Sequence, residues 1–338
     1  MKRLALLLLL ALPAAAQVSD ETARMEKVAE GVYAIVHDDA TDAWPHSNTG
    51  VIVGDDGVLV VDSTYLPSRA RADIALIRKV TDKPVKYLVI THWHFDHNNG
   101  NSVYRDAFPG IAIVSDRNTR DFIDVNSTWW PKMSTAPDSD RRKDLEKKAA
   151  EGLDPKIVAK RRSELEELAK LEVVPPNMVF DRTLTLHLGK RRIELRDMGK
   201  ANSPDDTIVW LPEEKILFTG DIVVQSPLPY LGASWPVSWV KVLRELEAMP
   251  VAAIVPGHGP VMRDHSYVRR VRDLIEDTLA KTEALIRQGK TLVQIQSTID
   301  LSAHRRAFAP WMTEDEATWK QITDVLVERA WRGVRGQG

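Results

Sequence analysis

The sequence predicts an α/β fold in which two β-sheets pack together with helices outside, elaborated by a helical insertion and a C-terminal helical extension. Three observations carry this expectation. Apolar runs of strand length, bounded by turn residues, recur from Val32 to Val255. A strand-turn-strand unit ending in Asp62 is echoed by a second one ending in Asp221, which suggests a sandwich of two related halves. Beyond residue 262 the apolar spacing becomes helical.

The elements follow in order. Residues 32–37 read as a strand, and 50–53 and 58–62 as a hairpin around Gly54-Asp55-Asp56-Gly57. Residues 68–81 carry Ala70, Ile74, Ile77 and Val80 at helical spacing. A buried-strand pattern, Lys86-Tyr87-Leu88-Val89-Ile90, comes next, and 111–114 is another strand. The rhythm breaks from about 127 to 178. There, 140–172 is rich in Lys, Arg and Glu, with Leu165, Leu168 and Leu171 on one face, and is expected to be a solvated helical hairpin inserted on the scaffold. Strands resume at 183–188, 192–196, 207–211, 215–219 and 252–255. Val268, Val271, Ile275 and Leu279 then mark a helix that Gly289 stops, and Thr313 with Glu316 makes a capping box for the last one.

The composition bounds the chemistry. A hydrophobic fraction of 43% over 338 residues leaves ample material for a core. The net charge of −2 gives no support to a nucleic-acid or anionic-membrane partner. There is no cysteine, so disulfides and thiolate nucleophiles are excluded and any metal site must use nitrogen and oxygen ligands. At the N-terminus, Lys2-Arg3, the apolar run 4–12 and Ala14-Ala15-Ala16 read as a secretory signal of residues 1–16, too short to span a bilayer. The expected layout is therefore a signal at 1–16, a main domain at 17–262 with its insertion at about 127–178, and an extension at 263–338. A periplasmic or secreted location follows, with no membrane span after cleavage and no protein partner predicted.

The strongest chemical signal is Thr91-His92-Trp93-His94-Phe95-Asp96-His97-Asn98-Asn99-Gly100, which holds three of the nine histidines. Just after a strand, His92 and His94 point the same way and converge on one cation. A tight loop turns Asp96 and His97 toward a second position, at the usual two-metal separation of about 3.5–4 Å. Imidazole with carboxylate suits zinc, with iron or manganese as alternatives.

This motif resembles that of the metallo-β-lactamase-fold superfamily, and the resemblance extends over about residues 28–262. Gly220-Asp221, after Ile216-Leu217-Phe218-Thr219, is similar to the family's metal-bridging carboxylate. Gly257-His258-Gly259 is similar to its last ligand histidine. The resemblance implies an αββα sandwich with metals at the sheet edges. It assigns His92 and His94 to a first metal and Asp96, His97 and His258 to a second, with Asp221 bridging and Asp62 orienting a ligand histidine from behind. It departs from the family at Gly199-Lys200-Ala201-Asn202-Ser203-Pro204-Asp205-Asp206-Thr207, where Asn202 stands in the place of a third histidine. One or two zinc ions are expected, the first held weakly.

What the resemblance implies is an exported hydrolase acting on a small-molecule ester, lactone, thioester or similar acyl compound. The metal lowers the pKa of a bound water to about 7, and Asp96 orients that nucleophile. β-Lactamase is the alternative, disfavoured because the lactamases of this family carry Cys or Ser where this chain has Asp221. An iron-dependent sulfur dioxygenase and a non-catalytic metal-binding protein are the remaining readings. Trp44, Trp129, Trp130, Tyr230, Trp235 and Trp239 suit an apolar pocket. His37, His46, His187, His265 and His304 have no ligand context and read as structural or surface residues.

The signal peptide makes a direct prediction. Intact-mass analysis of protein from the native envelope should find Gln17 at the N-terminus, and a retained Met1 would contradict it.

Overall fold

The computed structural model describes residues 23–37, 46–127, 129–225, 231–308 and 316–337. The expectations placed on residues 1–16, Trp44, Tyr230 and Thr313 lie outside the described residues.

Seven strands form one sheet in chain order: β1 (Arg24–Ala29), β2 (Val32–Val36), β3 (Thr49–Val53), β4 (Val58–Val61), β5 (Val85–Val89), β6 (Ala112–Asp116) and β7 (Met178–Phe180). Five form the other, β8 (Thr183–Leu188), β9 (Arg191–Asp197), β10 (Thr207–Leu211), β11 (Ile216–Phe218) and β12 (Ala253–Val255), also in chain order. Each sheet begins with antiparallel hairpins and ends in parallel pairing. In the first, β3 and β4 are antiparallel and β4 and β5 parallel. In the second, β10 and β11 are antiparallel and β11 and β12 parallel.

Strand periodicity sorts the side chains into layers. Along β4, Leu59 and Val61 enter the core between the sheets, whereas Val58 and Val60 face the helices outside. Along β10, Val209 and Leu211 face inward and Ile208 and Trp210 outward. Both faces are covered, which is why these strands read as unbroken apolar runs and not as alternating ones. The sheets approach closely at Gly50, where a Cβ would lie 2.5 Å from the Phe218 ring. Helices α1 (Pro67–Val80), α2 (Phe95–Asn98) and α3 (Asn101–Ala107) belong to the first sheet's side. Ala70 and Ile77 of α1 and Tyr104 of α3 pack on its outer face. The result is the expected αββα sandwich.

Helix α4 (Arg117–Ser127) leads into the insertion, which comprises α5 (Trp130–Thr135), α6 (Asp140–Ala150) and α7 (Pro155–Leu168). The insertion corrects the expectation of a solvated hairpin. Leu145, Val158, Leu165 and Leu168 are buried against Tyr65 and Leu66, and Phe95 of the histidine motif packs on the same cluster. The Arg141 guanidinium donates to the Tyr65 hydroxyl at 3.0 Å. The sparse leucines of a highly charged segment form a small core of their own on the scaffold.

Helix α8 (Pro236–Ala248) connects β11 to β12, and after β12 come α9 (Ser266–Arg287), the short α10 (Leu292–Thr298) and α11 (Ser302–Arg305), and α12 (Glu316–Val334). Trp239 and Leu243 of α8, Val271 and Ile275 of α9, and Leu326 and Val327 of α12 share one cluster with the outer face of β10 and β11. The C-terminal helices thus supply the second sheet's outer layer.

Candidate metal centre

The two parallel strand pairs deliver the functional side chains. Asp62 follows β4 and His92 to His97 follow β5, while Asp221 follows β11 and His258 follows β12. The carboxyl ends of both sheets therefore meet at one place, the usual location of a site in such sheets.

Six buried side chains converge there in two donor groups able to hold an ion: His92, His94 and Asp221, and Asp96, His97 and His258, with the ligand atoms in each group within 4.8 Å of one another. His92 Nε2 and His94 Nδ1 face each other at 2.9 Å, and His92 Nε2 lies 3.7 Å from Asp221 Oδ2. Asp221 Oδ1 turns to the second group, 3.2 Å from His97 Nε2 and 3.5 Å from His258 Nε2. Asp96 Oδ2 is 3.0 Å from His258 Nε2 and 3.4 Å from His97 Nε2. One carboxylate oxygen of Asp221 thus addresses each group. His97 Nε2 and Asp221 Oδ1 are buried with no hydrogen-bond partner among the described residues. Buried nitrogen and oxygen donors of this kind fit a divalent ion such as zinc.

Asp62 fixes the tautomers from behind. It adopts a left-handed φ of 62°, tolerated by aspartate but seldom by other residues. Oδ1 accepts the Thr91 N–H at 2.9 Å, and Oδ2 accepts both the Thr91 hydroxyl at 2.9 Å and His97 Nδ1–H at 2.8 Å. With its proton given to Asp62, Thr91 Oγ1 accepts from His92 Nδ1 at 3.1 Å. This network assigns both protons to the Nδ1 atoms and leaves the Nε2 lone pairs of His92 and His97 directed at the donor groups. The loop bearing His258 is equally constrained. Asn48 Nδ2 donates to Pro256 O at 2.9 Å and to Gly259 O at 2.7 Å. A Cβ at Gly257 would lie 2.0 Å from Asp221 Oδ1, so only glycine admits the carboxylate.

Electrostatics makes the pocket cation-seeking. Burial pushes His92 and His94 below the usual imidazole range, so both are neutral ligands at pH 7. Burial also pushes His97 down, but Asp221, Asp96 and Asp62 prevail and hold it well above its ordinary value. Burial raises Asp96 and Asp221, yet His97 and His258 bring both carboxyls far below theirs. The carboxylates therefore attract positive charge to His97 Nε2, where a proton and a metal ion compete for one lone pair.

Asn202 is fully buried in the β9–β10 loop, which is tied to the site where the Thr207 N–H donates to Thr91 O at 2.9 Å. Within that loop Asp206 Oδ2 accepts the Ser203 N–H at 2.7 Å. Burial, with Asp221 adding, pushes Asp206 up to about 7 against the opposing Ser203 donors.

The described tryptophans are dispersed. Trp239 is a core residue, its Nε1 donating to Ile222 O at 3.1 Å, which corrects its place among the pocket aromatics. Trp129 is 45% exposed. Trp235 lines a pocket of about 210 Å³ with Lys200, Lys241 and Arg329, and none of the six donors borders it. Sequence reasoning missed Trp93, whose ring centroid lies 4.8 Å from that of His94 and 5.7 Å from that of Phe122, on which it stacks. Phe122, Val125, Trp129 and Met133 continue an exposed apolar run along α4 and α5, a spacing legible in the sequence. His46, read as structural or surface, is fully buried beside the donors.

Comparison with known proteins agrees with this architecture. The model of the metallo-beta-lactamase superfamily matches residues 42–258. A linear primary-alkylsulfatase from Pseudomonas sp. (strain ATCC 19151) is 23% identical over 294 residues, which are 80% of this chain and 53% of that protein. The chain thus spans about half the length of that curated relative. A metallo-beta-lactamase from Pontibacter korlensis superposes with a TM-score of 0.53 at 19% identity, covering 75% of this chain and 99% of the other. The DIM-1 metallo-beta-lactamase exposed to ceftazidime gives 0.55 at 20% identity, with 75% and 96% covered. The chain belongs to the metallo-beta-lactamase superfamily. Its centre is built around side chains that suit divalent metals.

Asp206 makes this site's pH dependence testable. Its folded pKa lies above the unfolded value of 3.8, so its contribution to stability is full below about pH 4 and lost as pH rises through about 7. In metal-free protein that loss amounts to at most about 4 kcal/mol. Urea unfolding of wild type and Asp206→Asn in chelator should show the variant gaining stability relative to wild type from pH 5 to pH 8. A difference that does not change with pH would contradict the buried-acid account.

Proposed function

We propose that the chain is an exported, zinc-dependent hydrolase of esters that carry an apolar group. The observation that carries this reading is the pair of donor groups with Asp221 set between them. His92, His94 and Asp221 would hold one ion, and Asp96, His97 and His258 the other. When bound, the ions supply an activated water and an electrophile for the scissile bond. Asp62 keeps the His92 and His97 tautomers fixed, and Asp96 orients the attacking water. Trp93 and Phe122 offer the substrate an apolar surface that begins beside His94.

Acyl esters, lactones and thioesters come first. A sulfate ester with an alkyl tail is the second reading, favoured by the alkylsulfatase relative and by the exposed apolar run on α4 and α5. β-Lactam hydrolysis draws no comparable support, because likeness at 19–20% identity speaks for the fold alone.

Two measurements test this reading. Purified protein with zinc should turn over at least one of octanoate ester, lactone, octanoyl thioester, octyl sulfate and nitrocefin. His258→Ala should lose at least about 100-fold in that activity along with tight metal while keeping its fold. Turnover of none of the five would contradict hydrolysis. Equilibrium zinc titration should show one tight equivalent at the Asp96, His97 and His258 group and a weaker second one. Asn202→His should tighten the second. Two equally tight ions in wild type, unchanged by Asn202→His, would remove Asn202 from the site.

A further inference from the structure

The ligands of the second donor group come from different sheets. Asp96 and His97 follow β5, and His258 follows β12. Their spacing is tight, with His258 Nε2 3.0 Å from Asp96 Oδ2. On its own sheet's side the His258 loop is tied to the segment after β11. There the Gly257 N–H donates to Gly220 O at 2.9 Å and the Gln225 N–H to His258 O at 3.1 Å. Ser47 and Asn48, the two residues before β3, tie it to the first sheet. Ser47 Oγ donates to Asp96 O at 2.6 Å. The Asn48 N–H donates to Gly257 O at 2.7 Å, and Asn48 Nδ2 donates to Pro256 O at 2.9 Å and to Gly259 O at 2.7 Å. One buried residue thus holds three carbonyls around His258, and its buried neighbour holds the backbone of Asp96.

The chemistry explains why asparagine stands at 48. Two carbonyls receive two N–H donors from one short side chain, which only an amide NH2 supplies at that length. The His37 N–H donates to Asn48 Oδ1 at 3.3 Å and so fixes which way the amide faces. Leucine has nearly the same shape but donates nothing. Aspartate would turn lone pairs toward the two carbonyls. The next residue serves a different purpose. Thr49 Oγ1 donates to Asp73 Oδ2 at 2.7 Å, a bond to helix α1 and not to a ligand loop.

We propose that Ser47 and Asn48 are positioning residues that fix the distance between Asp96 and His258 and thereby set the metal affinity of the second donor group. The inference rests on the metal-dependent reading above and deepens it by assigning the link between the two sheets to these side chains. Asn48 acts through His258, and Ser47 through Asp96. Groups that orient metal ligands from behind govern affinity by about 10–100-fold.

The experiment uses full-length protein and titration of zinc in competition with a chelator of known affinity. Asn48→Leu, Ser47→Ala and the control Thr49→Val are each measured alone, and Asn48→Leu also in a His258→Ala background. Tm is read on the metal-free proteins. Asn48→Leu should weaken the tight zinc equivalent about tenfold or more. In the His258→Ala background the same substitution should change the remaining affinity less than about twofold, because a residue that acts through His258 then has nothing to position. Ser47→Ala should weaken the tight equivalent about threefold or more. Thr49→Val should lower Tm and leave zinc affinity unchanged. Unchanged zinc affinity in Asn48→Leu overturns the proposal. So does a loss of equal size with and without His258, or a loss in Thr49→Val equal to that in Asn48→Leu, since either marks a merely structural strand. If Asn48→Leu does not fold, Ser47→Ala with and without Asp96→Ala decides by the same comparison. The predicted pattern in a protein that binds zinc but hydrolyses no ester supports the positioning role and removes only the hydrolase reading. A wild type that binds no zinc tightly overturns both.

Discussion

The central constraint is the burial of two carboxylates, Asp96 and Asp221, among four imidazoles at the meeting point of two sheets. Charges withdrawn from water are costly unless compensated at close range. A cation held by the gathered lone pairs would offset that cost. Much of the architecture serves this arrangement. Parallel pairing of β4 with β5 and of β11 with β12 aims four strand ends at one place. Gly257 leaves room for the Asp221 carboxylate, and the strained Asp62 holds Thr91 and His97 in register. The glycines and the left-handed aspartate are intelligible only as parts of the charge problem.

That problem also explains what could be read from the chain alone. Strands such as β4 and β10 were legible because burial on both faces leaves an unbroken apolar run, and the helices α1 and α9 because their spacing is helical. The donors that follow β5 were legible because four of them lie within six residues at the end of a strand. Asp221 and His258 came only through a resemblance, since a lone Gly-Asp or Gly-His-Gly has many meanings. The insertion was misread as solvated because Leu145, Leu165 and Leu168 are few among charges, and their contact with Tyr65 and Phe95 is a matter of tertiary structure. Trp239 shows the same limit, for nothing local separates a core tryptophan from one lining a pocket. His46, read as structural or surface, is fully buried, and burial of a lone histidine is likewise a matter of tertiary structure.

The insertion and the C-terminal helices divide the remaining work. The C-terminal helices complete the outer layer of the second sheet and share its core. The insertion packs on Phe95, inside the histidine motif, and continues an exposed apolar run that begins on α4, where Phe122 stacks on Trp93. The scaffold thus fixes the donors, and this segment packs beside them through Phe95. Substrate choice belongs to such added segments in general, because fold alone does not determine function.

The claim that the buried carboxylates exist to hold metal is tested most directly by anomalous diffraction at the zinc edge from crystals of zinc-loaded protein. A peak coordinated by Asp96, His97 and His258, with Asp221 turned toward it, is the predicted result. Zinc-loaded crystals with no peak at either donor group, and with His97 and His258 still paired to Asp96 and Asp221, would contradict it.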